Sequence, residues 1–196
     1  NISSGGFVSV MKKYLYVMFL DIIWFTTIAE KIPQDRALLL LNIYFDWIVE
    51  IIKRYWWSVD KFLWDWMMVV FDWVEPEEIL KASVEIQTFI SKFQVSDVWK
   101  QISIWIWINC WEVILWTIWS KNRMEITLIW DVVNTASRLE WLTRTLWDKI
   151  LISQNVYDNI KNKEDFKITD LWENELKWKK KKIKVYWVEN IYTIKI

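Results

Sequence analysis

The stretch SVDKFLWDWMMVVF, Ser58 to Phe71, holds two runs of strand-forming residues separated by Trp64-Asp65-Trp66. Two such runs around a short polar break predict an antiparallel β-hairpin. A hairpin that tight needs a residue with positive φ at its tip, ordinarily Gly or Asn. Trp stands there instead, on both sides of the Asp. The same misfit recurs along the chain and governs how the rest is read.

At 196 residues, 54% hydrophobic and 26% charged, the chain has the length and composition of one soluble globular domain with a full core. Two counts depart from the ordinary: there are 19 Trp and only 2 Gly. Glycine is typically about 7% of a protein. A domain of this size needs roughly a dozen backbone positions where only Gly is comfortable. The turns therefore lack their usual residue, as if the glycines had been replaced.

Other counts exclude chemistry. The chain has no His, which removes the Ser-His-Asp triad, the Cys-His dyad, His-ligated zinc and imidazole acid/base catalysis. Carboxylates, Lys, Arg and Asn must carry any reaction. A single Cys, Cys110, can form no internal disulfide, which fits a reducing, cytoplasmic setting. Lys plus Arg equals Asp plus Glu at 25 each, so no charge excess points to nucleic acid. Ile102 to Trp119 is largely apolar, but it contains Asn109 and Glu112 and alternates like a strand; two buried strands around a turn are expected there, not a membrane span. No signal peptide is evident, and a first residue of Asn in place of Met suggests a C-terminal part of a longer protein.

Taken in order, residues 1–13 form a weakly patterned lead-in from a missing upstream region, and residues 14–196 form one domain. Tyr14 to Leu20 is a strand-length apolar run ending at Asp21. An acidic residue at the carboxyl end of a buried strand, just before a turn and a helix start, is a common place for a ligand. Pro33 opens an amphipathic helix from Gln34 to about Tyr55, with Leu38, Leu41, Phe45, Ile48 and Ile52 at helical spacing. Glu75-Pro76-Glu77-Glu78 marks the start of a second helix running to about Gln94. Lys100 to Asn109 and Glu112 to Ile118 read as a pair of strands, Met124 to Ile129 as another, and Asp131 as the cap of a helix to about Thr143. A short strand at Ile150 to Ser153, a short helix at Asn155 to Ile160 and terminal strands within Phe166 to Val188 complete an α+β pattern.

Three segments then match a family. FLDIIWFTTIAEK (Phe19 to Lys31), SVDKFLWDWMMVVF and ITLIWDVVNTASRLE (Ile126 to Glu140) resemble the catalytic domain of class III adenylyl and guanylyl cyclases. The family writes these as FxDIxGFT, VDKxxGDxxMAxFG and YTxxGDxVNxAxRLE, in the same order. The resemblance implies a ferredoxin-like α+β fold, an antiparallel-rich sheet with helices packed on it. Nearly every departure from the family pattern is Trp in place of Gly: Trp24, Trp64, Trp130, Trp111 in INCWEV, Trp119 before Ser120, Trp56-Trp57 and Trp178. One residue type replaced this consistently by one other points to a gene in which UGA encodes Gly, translated with UGA as Trp.

The resemblance also implies roles. Asp21 and Asp65 would hold two Mg²⁺ or Mn²⁺ ions, with Ile22 beside Asp21. The segment from Ile22 to Thr27, including Phe25 and Thr26, would meet the phosphates through backbone N–H groups. Lys61 and Thr127 stand at the base-reading positions and favour ATP over GTP. Asn134 and Arg138, four apart and so on one helix face, would orient the ribose and stabilise charge on the α-phosphate; the fixed guanidinium fork suits that task. Lys177 and Arg123 would contact the triphosphate. The implied reaction converts ATP to 3′,5′-cyclic AMP and pyrophosphate. Because the metal and base-reading sets of one site come from different protomers in the family, a head-to-tail homodimer is implied, regulated by an upstream sensor or membrane region. A catalytically inactive cyclase-like module is the alternative, disfavoured by the presence of Asp21, Lys61, Asp65, Thr127, Asn134 and Arg138 together. An aromatic surface for carbohydrate or membrane, taking the Trp literally, is disfavoured because the Trp fall at turns and on buried strands.

Overall fold

Strand β1 (Val10–Ile23) is apolar on both faces, and that determines its place inside the sheet. Its even-numbered residues Met18, Leu20 and Ile22 enter the main core beneath the helices, whereas Leu15, Val17 and Phe19 cluster with Trp66, Met68 and Val70 on the opposite face. The computed structural model describes residues 10–23, 25–55, 58–63, 66–92, 102–120, 123–128, 150–175 and 182–190. Within them the order is β1, α1 (Phe25–Ala29), α2 (Gln34–Arg54), β2 (Ser58–Leu63), β3 (Trp66–Phe71), α3 (Pro76–Lys92), β4 (Ser103–Ser120), β5 (Arg123–Leu128), β6 (Ile150–Ser153), α4 (Gln154–Asn159), β7 (Phe166–Glu175) and β8 (Lys182–Asn190). The eight strands form one sheet in the order β2-β3-β1-β4-β6-β8-β7, with β5 also on β4. Only the β4–β6 pairing is parallel among the described strands. The expected α+β, antiparallel-rich sheet with helices on it is what forms.

The hairpin of β2 and β3 pairs antiparallel, as the sequence predicts; its tip, residues 64 and 65, lies outside the described residues. Helix α2 follows its predicted periodicity, burying Ala37, Leu41, Tyr44, Phe45, Ile48, Ile51 and Ile52 along one stripe. The stripe is narrower than expected at its start, since Leu38 is exposed. Helix α3 buries Ile79, Leu80, Ile86 and Ile90 against the same sheet face. The helix expected from Asp131 to Thr143 lies outside the described residues. None of the described helices is long and apolar enough to cross a membrane.

Two expectations are corrected. The segment read as a lead-in contains the first turns of β1, since Val10 to Lys13 already pair with Trp116 to Val113. The predicted pair of strands around Cys110 and Trp111 is a single strand, β4, with no turn between them. Its register with β1 runs unbroken from Val10 opposite Trp116 to Ile23 opposite Ser103, so tertiary pairing overrides the turn-like Asn109-Cys110. On the other edge of β4, β6 pairs at Ile106 to Ile108 and β5 at Leu115 to Ser120. Cys110 lies between these pairings, and side chains satisfy its backbone there. Its N–H donates to Asn109 Oδ1 at 2.8 Å, and Asn155 Nδ2 donates to its carbonyl at 3.1 Å. Burial pushes the Cys110 thiol up from its ordinary pKa, so it behaves as a core residue and not as a nucleophile.

One buried carboxylate ties the helical layer to the far end of the sheet. Glu77, in the first turn of α3, accepts from the backbone N–H of Lys161 at 2.6 Å and of Asn162 at 3.0 Å. Burial raises its pKa, but these backbone donors outweigh burial and hold it below the ordinary glutamate value. Glu77→Ala should cost about 1–3 kcal/mol, because it leaves two N–H groups without their acceptor. The stabilisation is present above the unfolded-state pKa and is lost as pH falls through the lower folded value. Urea denaturation should therefore show a gap between wild type and variant at neutral pH that closes in acid; a gap independent of pH would rule out this role.

Candidate active site

Asp21 is the third residue from the end of β1 and is partly buried, on the sheet face opposite the helices. The face follows from alternation: Phe19, two residues earlier, packs with Trp66 and Met68, while Leu20 and Ile22 lie in the helical core. Directly paired neighbours share a face, and Asp21 is paired with Trp66 on β3 and with Trp105 on β4. Leu63 on β2 extends this row beyond Trp66. The residue preceding Trp66 in the chain is Asp65, itself outside the described residues.

Ile22 is buried in the main core, so its side chain is closed to a ligand and any contribution from it would come from the backbone. Helix α1 starts two residues after β1 ends, with Phe25 half-buried against the core and Thr26 in the first turn. The opening N–H groups of a helix have no partner within it, and here they follow directly from the strand that carries Asp21. A carboxylate at a strand end, a neighbouring backbone carbonyl and a second carboxylate next to its strand partner make a set of hard oxygen donors. By donor type these residues fit Mg²⁺ or Mn²⁺.

The remaining expected residues fall in three places. Lys61 on β2 is the register partner of Met68, which in turn pairs with Phe19, so its backbone is one same-face step from the row of Asp21. A register irregularity between Val59 and Lys61 precedes it. Thr127 and Arg123 lie on β5, opposite Trp116 and Ser120 of β4. The row of Lys61 meets β4 at Trp107 and that of Thr127 meets it at Trp116, so the described strands do not bring these two side by side within one protomer. Asp65, Asn134, Arg138 and Lys177 lie outside the described residues. Sequence reasoning missed the two neighbours that flank Asp21, Trp66 and Trp105. The alternation of Trp105 and Trp107 with Ile104, Ile106 and Ile108 puts these two Trp on one face, but only the register with β1 sets Trp105 beside Asp21.

The indoles themselves are poorly accommodated. Trp105 and Trp107 are buried, and the Nε1–H of each is buried with no hydrogen-bond partner among the described residues, although buried Trp usually finds one. Trp73, after β3, has φ of 64° and is 90% exposed. Among the described residues it is the one non-glycine in the left-handed region, where a Cβ is disfavoured and Gly is at ease.

A family model described as the adenylate and guanylate cyclase catalytic domain matches residues 9–190. An adenylate cyclase of Anabaena cylindrica is 28% identical over 159 residues, covering 78% of this chain and 32% of that protein, so the chain spans about a third of this relative. The crystal structure of the adenylyl cyclase CyaB from P. aeruginosa superposes with a TM-score of 0.76 at 23% identity, covering 93% of this chain and 96% of that one. The guanylate cyclase domain of RhGC from Catenaria anguillulae, solved in complex with GTP, gives a TM-score of 0.75 at 25% identity, with 93% and 98% covered. With the motifs, the sheet order and this match over most of its length, the chain belongs to the family of adenylate and guanylate cyclase catalytic domains.

Proposed function

We propose that the domain converts ATP to 3′,5′-cyclic AMP and pyrophosphate as a homodimer. The observation that carries this is the end of β1. Asp21 stands on the sheet face away from the helices, its strand partner Trp66 is preceded by Asp65, and the start of α1 follows at once. In the reaction the ribose 3′-oxygen bonds to the α-phosphorus, the bond from that phosphorus to the bridging oxygen breaks, and pyrophosphate departs with the electron pair while the hydroxyl proton is lost. Asp21 and Asp65 would hold the divalent ions, which when bound would supply Lewis-acid polarisation of the hydroxyl and the triphosphate.

The chain's own residues supply the rest. Asp21 and Asp65 provide carboxylate oxygens, and the backbone at Ile22, Phe25 and Thr26 faces the phosphates. Asn134 positions the ribose, and Arg138 holds the charge that develops on the α-phosphate. Lys177 and Arg123 neutralise the remaining phosphate oxygens. Lys61 and Thr127 read adenine in preference to guanine; this assignment rests on motif position, as does the composition of each site from two protomers. The purified domain with glycine at the Trp positions, given Mn²⁺ and equal ATP and GTP, should form cyclic AMP and pyrophosphate in equal amounts with little cyclic GMP. Cyclic GMP as the main product would reassign the substrate to GTP. No cyclic nucleotide at concentrations where the protein is dimeric would favour the inactive cyclase-like module.

A further inference from the structure

The edge of the sheet farthest from β2 ends in a two-stranded ribbon. Strand β6 pairs with β8 from Val185 to Val188, so residues 182–184 of β8 have β7 as their one strand partner among the described residues, through Glu173 to Glu175. A register shift separates this ribbon from the body of the sheet. Between the pair Asp170–Tyr186 and the pair Glu173–Lys184 the chain advances three residues on β7 and two on β8. The extra residue makes a β-bulge, which interrupts the ladder, bends the strand and increases its twist. Backbone pairing alone therefore leaves the direction of the ribbon loosely set. Beyond it the chain passes from β7 to β8 through residues 176–181, which include Lys177.

Side chains bridge the bulge. Lys184, on the ribbon side, reaches back to Asp170 on the body side, with Nζ 2.8 Å from Oδ2. Its ammonium also stands over the Tyr186 ring, 5.2 Å from the centroid. Tyr186 is a firm base for that contact. It is 5% exposed, its ring stacks on Tyr157 with centroids 4.0 Å apart and planes at 5°, and its hydroxyl donates to Gln154 Oε1 at 2.7 Å. The ion pair is half-exposed, so it adds little to global stability. Its place across the bulge is what gives it a hold on the ribbon.

We propose that Asp170 and Lys184 are positioning residues, whose ion pair across the bulge sets the direction of the β7–β8 ribbon and with it the presentation of Lys177 to the triphosphate. The proposal rests on the reading of Lys177 as a triphosphate contact. Without the pair the ribbon turns at the bulge, and a lysine displaced by about 1 Å loses much of its charge-assisted contact with a phosphate oxygen.

A double-mutant cycle in steady-state kinetics tests this, on the same glycine-containing domain as the product assay, with Mn²⁺ and the nucleotide that it cyclises. Asp170→Ala should lower kcat/KM at least about fivefold and leave the thermal midpoint within about 2 °C of the parent domain. Lys177→Ala should lower kcat/KM by at least as much. The two together should lose no more than Lys177→Ala alone, because Asp170 acts through Lys177. The charge swap Asp170→Lys/Lys184→Asp should recover most of the loss. Losses that add in the double variant, or an Asp170→Ala domain as active as its parent, overturn the positioning role and leave Lys177 standing. Lys177→Ala without effect overturns the reading of Lys177, and the proposal falls with it, as it does if the parent domain forms no cyclic nucleotide. Asp170→Asn, held to the same criteria, replaces an Asp170→Ala domain that circular dichroism shows to be unfolded.

Discussion

Asp65→Ala should lower cyclic AMP formation by roughly 10³-fold, the scale of losing one main electrostatic stabiliser of a transition state, while the dimer persists in size-exclusion chromatography. The expectation begins with the hairpin. Leu63 on β2 pairs with Trp66 on β3, and Trp66 pairs with Asp21 on β1. The chain passes from one side of this pair to the other through positions 64 and 65, so Asp65 is covalently tethered to the row that holds Asp21. Two carboxylates tethered this way offer two oxygen donors where one is too few for a dication held against a triphosphate. Initial rates at saturating ATP and Mn²⁺ measure the loss. Full activity in the folded variant would remove Asp65 from the metal site.

The second large effect concerns the tryptophans. A chain with glycine at the Trp positions should fold more stably than the chain with indoles, by an amount comparable with a domain's whole stability. Three described positions account for much of it. Holding Trp73 at φ 64° costs about 1–2 kcal/mol. Burying the indole N–H groups of Trp105 and Trp107 with no partner among the described residues costs about 1–3 kcal/mol each. Apolar burial of the two indoles offsets part of this, and that is where the two readings divide. If indoles belong at 105 and 107, their loss opens cavities costing about 3–5 kcal/mol each; if glycine belongs there, neighbouring side chains already fill the space. Thermal melts of the two chains should place the glycine chain at least about 10 °C higher. A more stable Trp chain would contradict the glycine reading, as would UGG codons at these positions.

Much of the architecture was legible because it is written in local patterns. The apolar stripe of α2, the acidic, Pro-marked start of α3 and the two runs of the hairpin each announce their element without reference to the rest of the chain. The single strand β4 was not legible, because Asn109-Cys110-Trp111 resembles a turn when read alone. What makes it a strand is its unbroken register with β1 on one edge and the Asn109 and Asn155 side chains that satisfy Cys110. Asp21 was legible as an acid at a strand end. Its flanking positions 66 and 105 were not, because cross-strand register depends on how three strands align and no local spacing encodes it. For the same reason the motifs that name Lys61 and Thr127 together conceal their separation along β4.

In the proposed dimer the cyclase site is completed by two copies of this chain. Mixing two inactive variants, Asp65→Ala and Arg138→Ala, in equal amounts tests it most directly, because each damages a different half of the site. In a two-fold dimer with statistical exchange of subunits, half of the dimers are mixed and each mixed dimer regains one intact site, so cyclic AMP formation should return to about a quarter of the wild-type rate. Mixed dimers that form but remain as inactive as either variant alone would contradict the account.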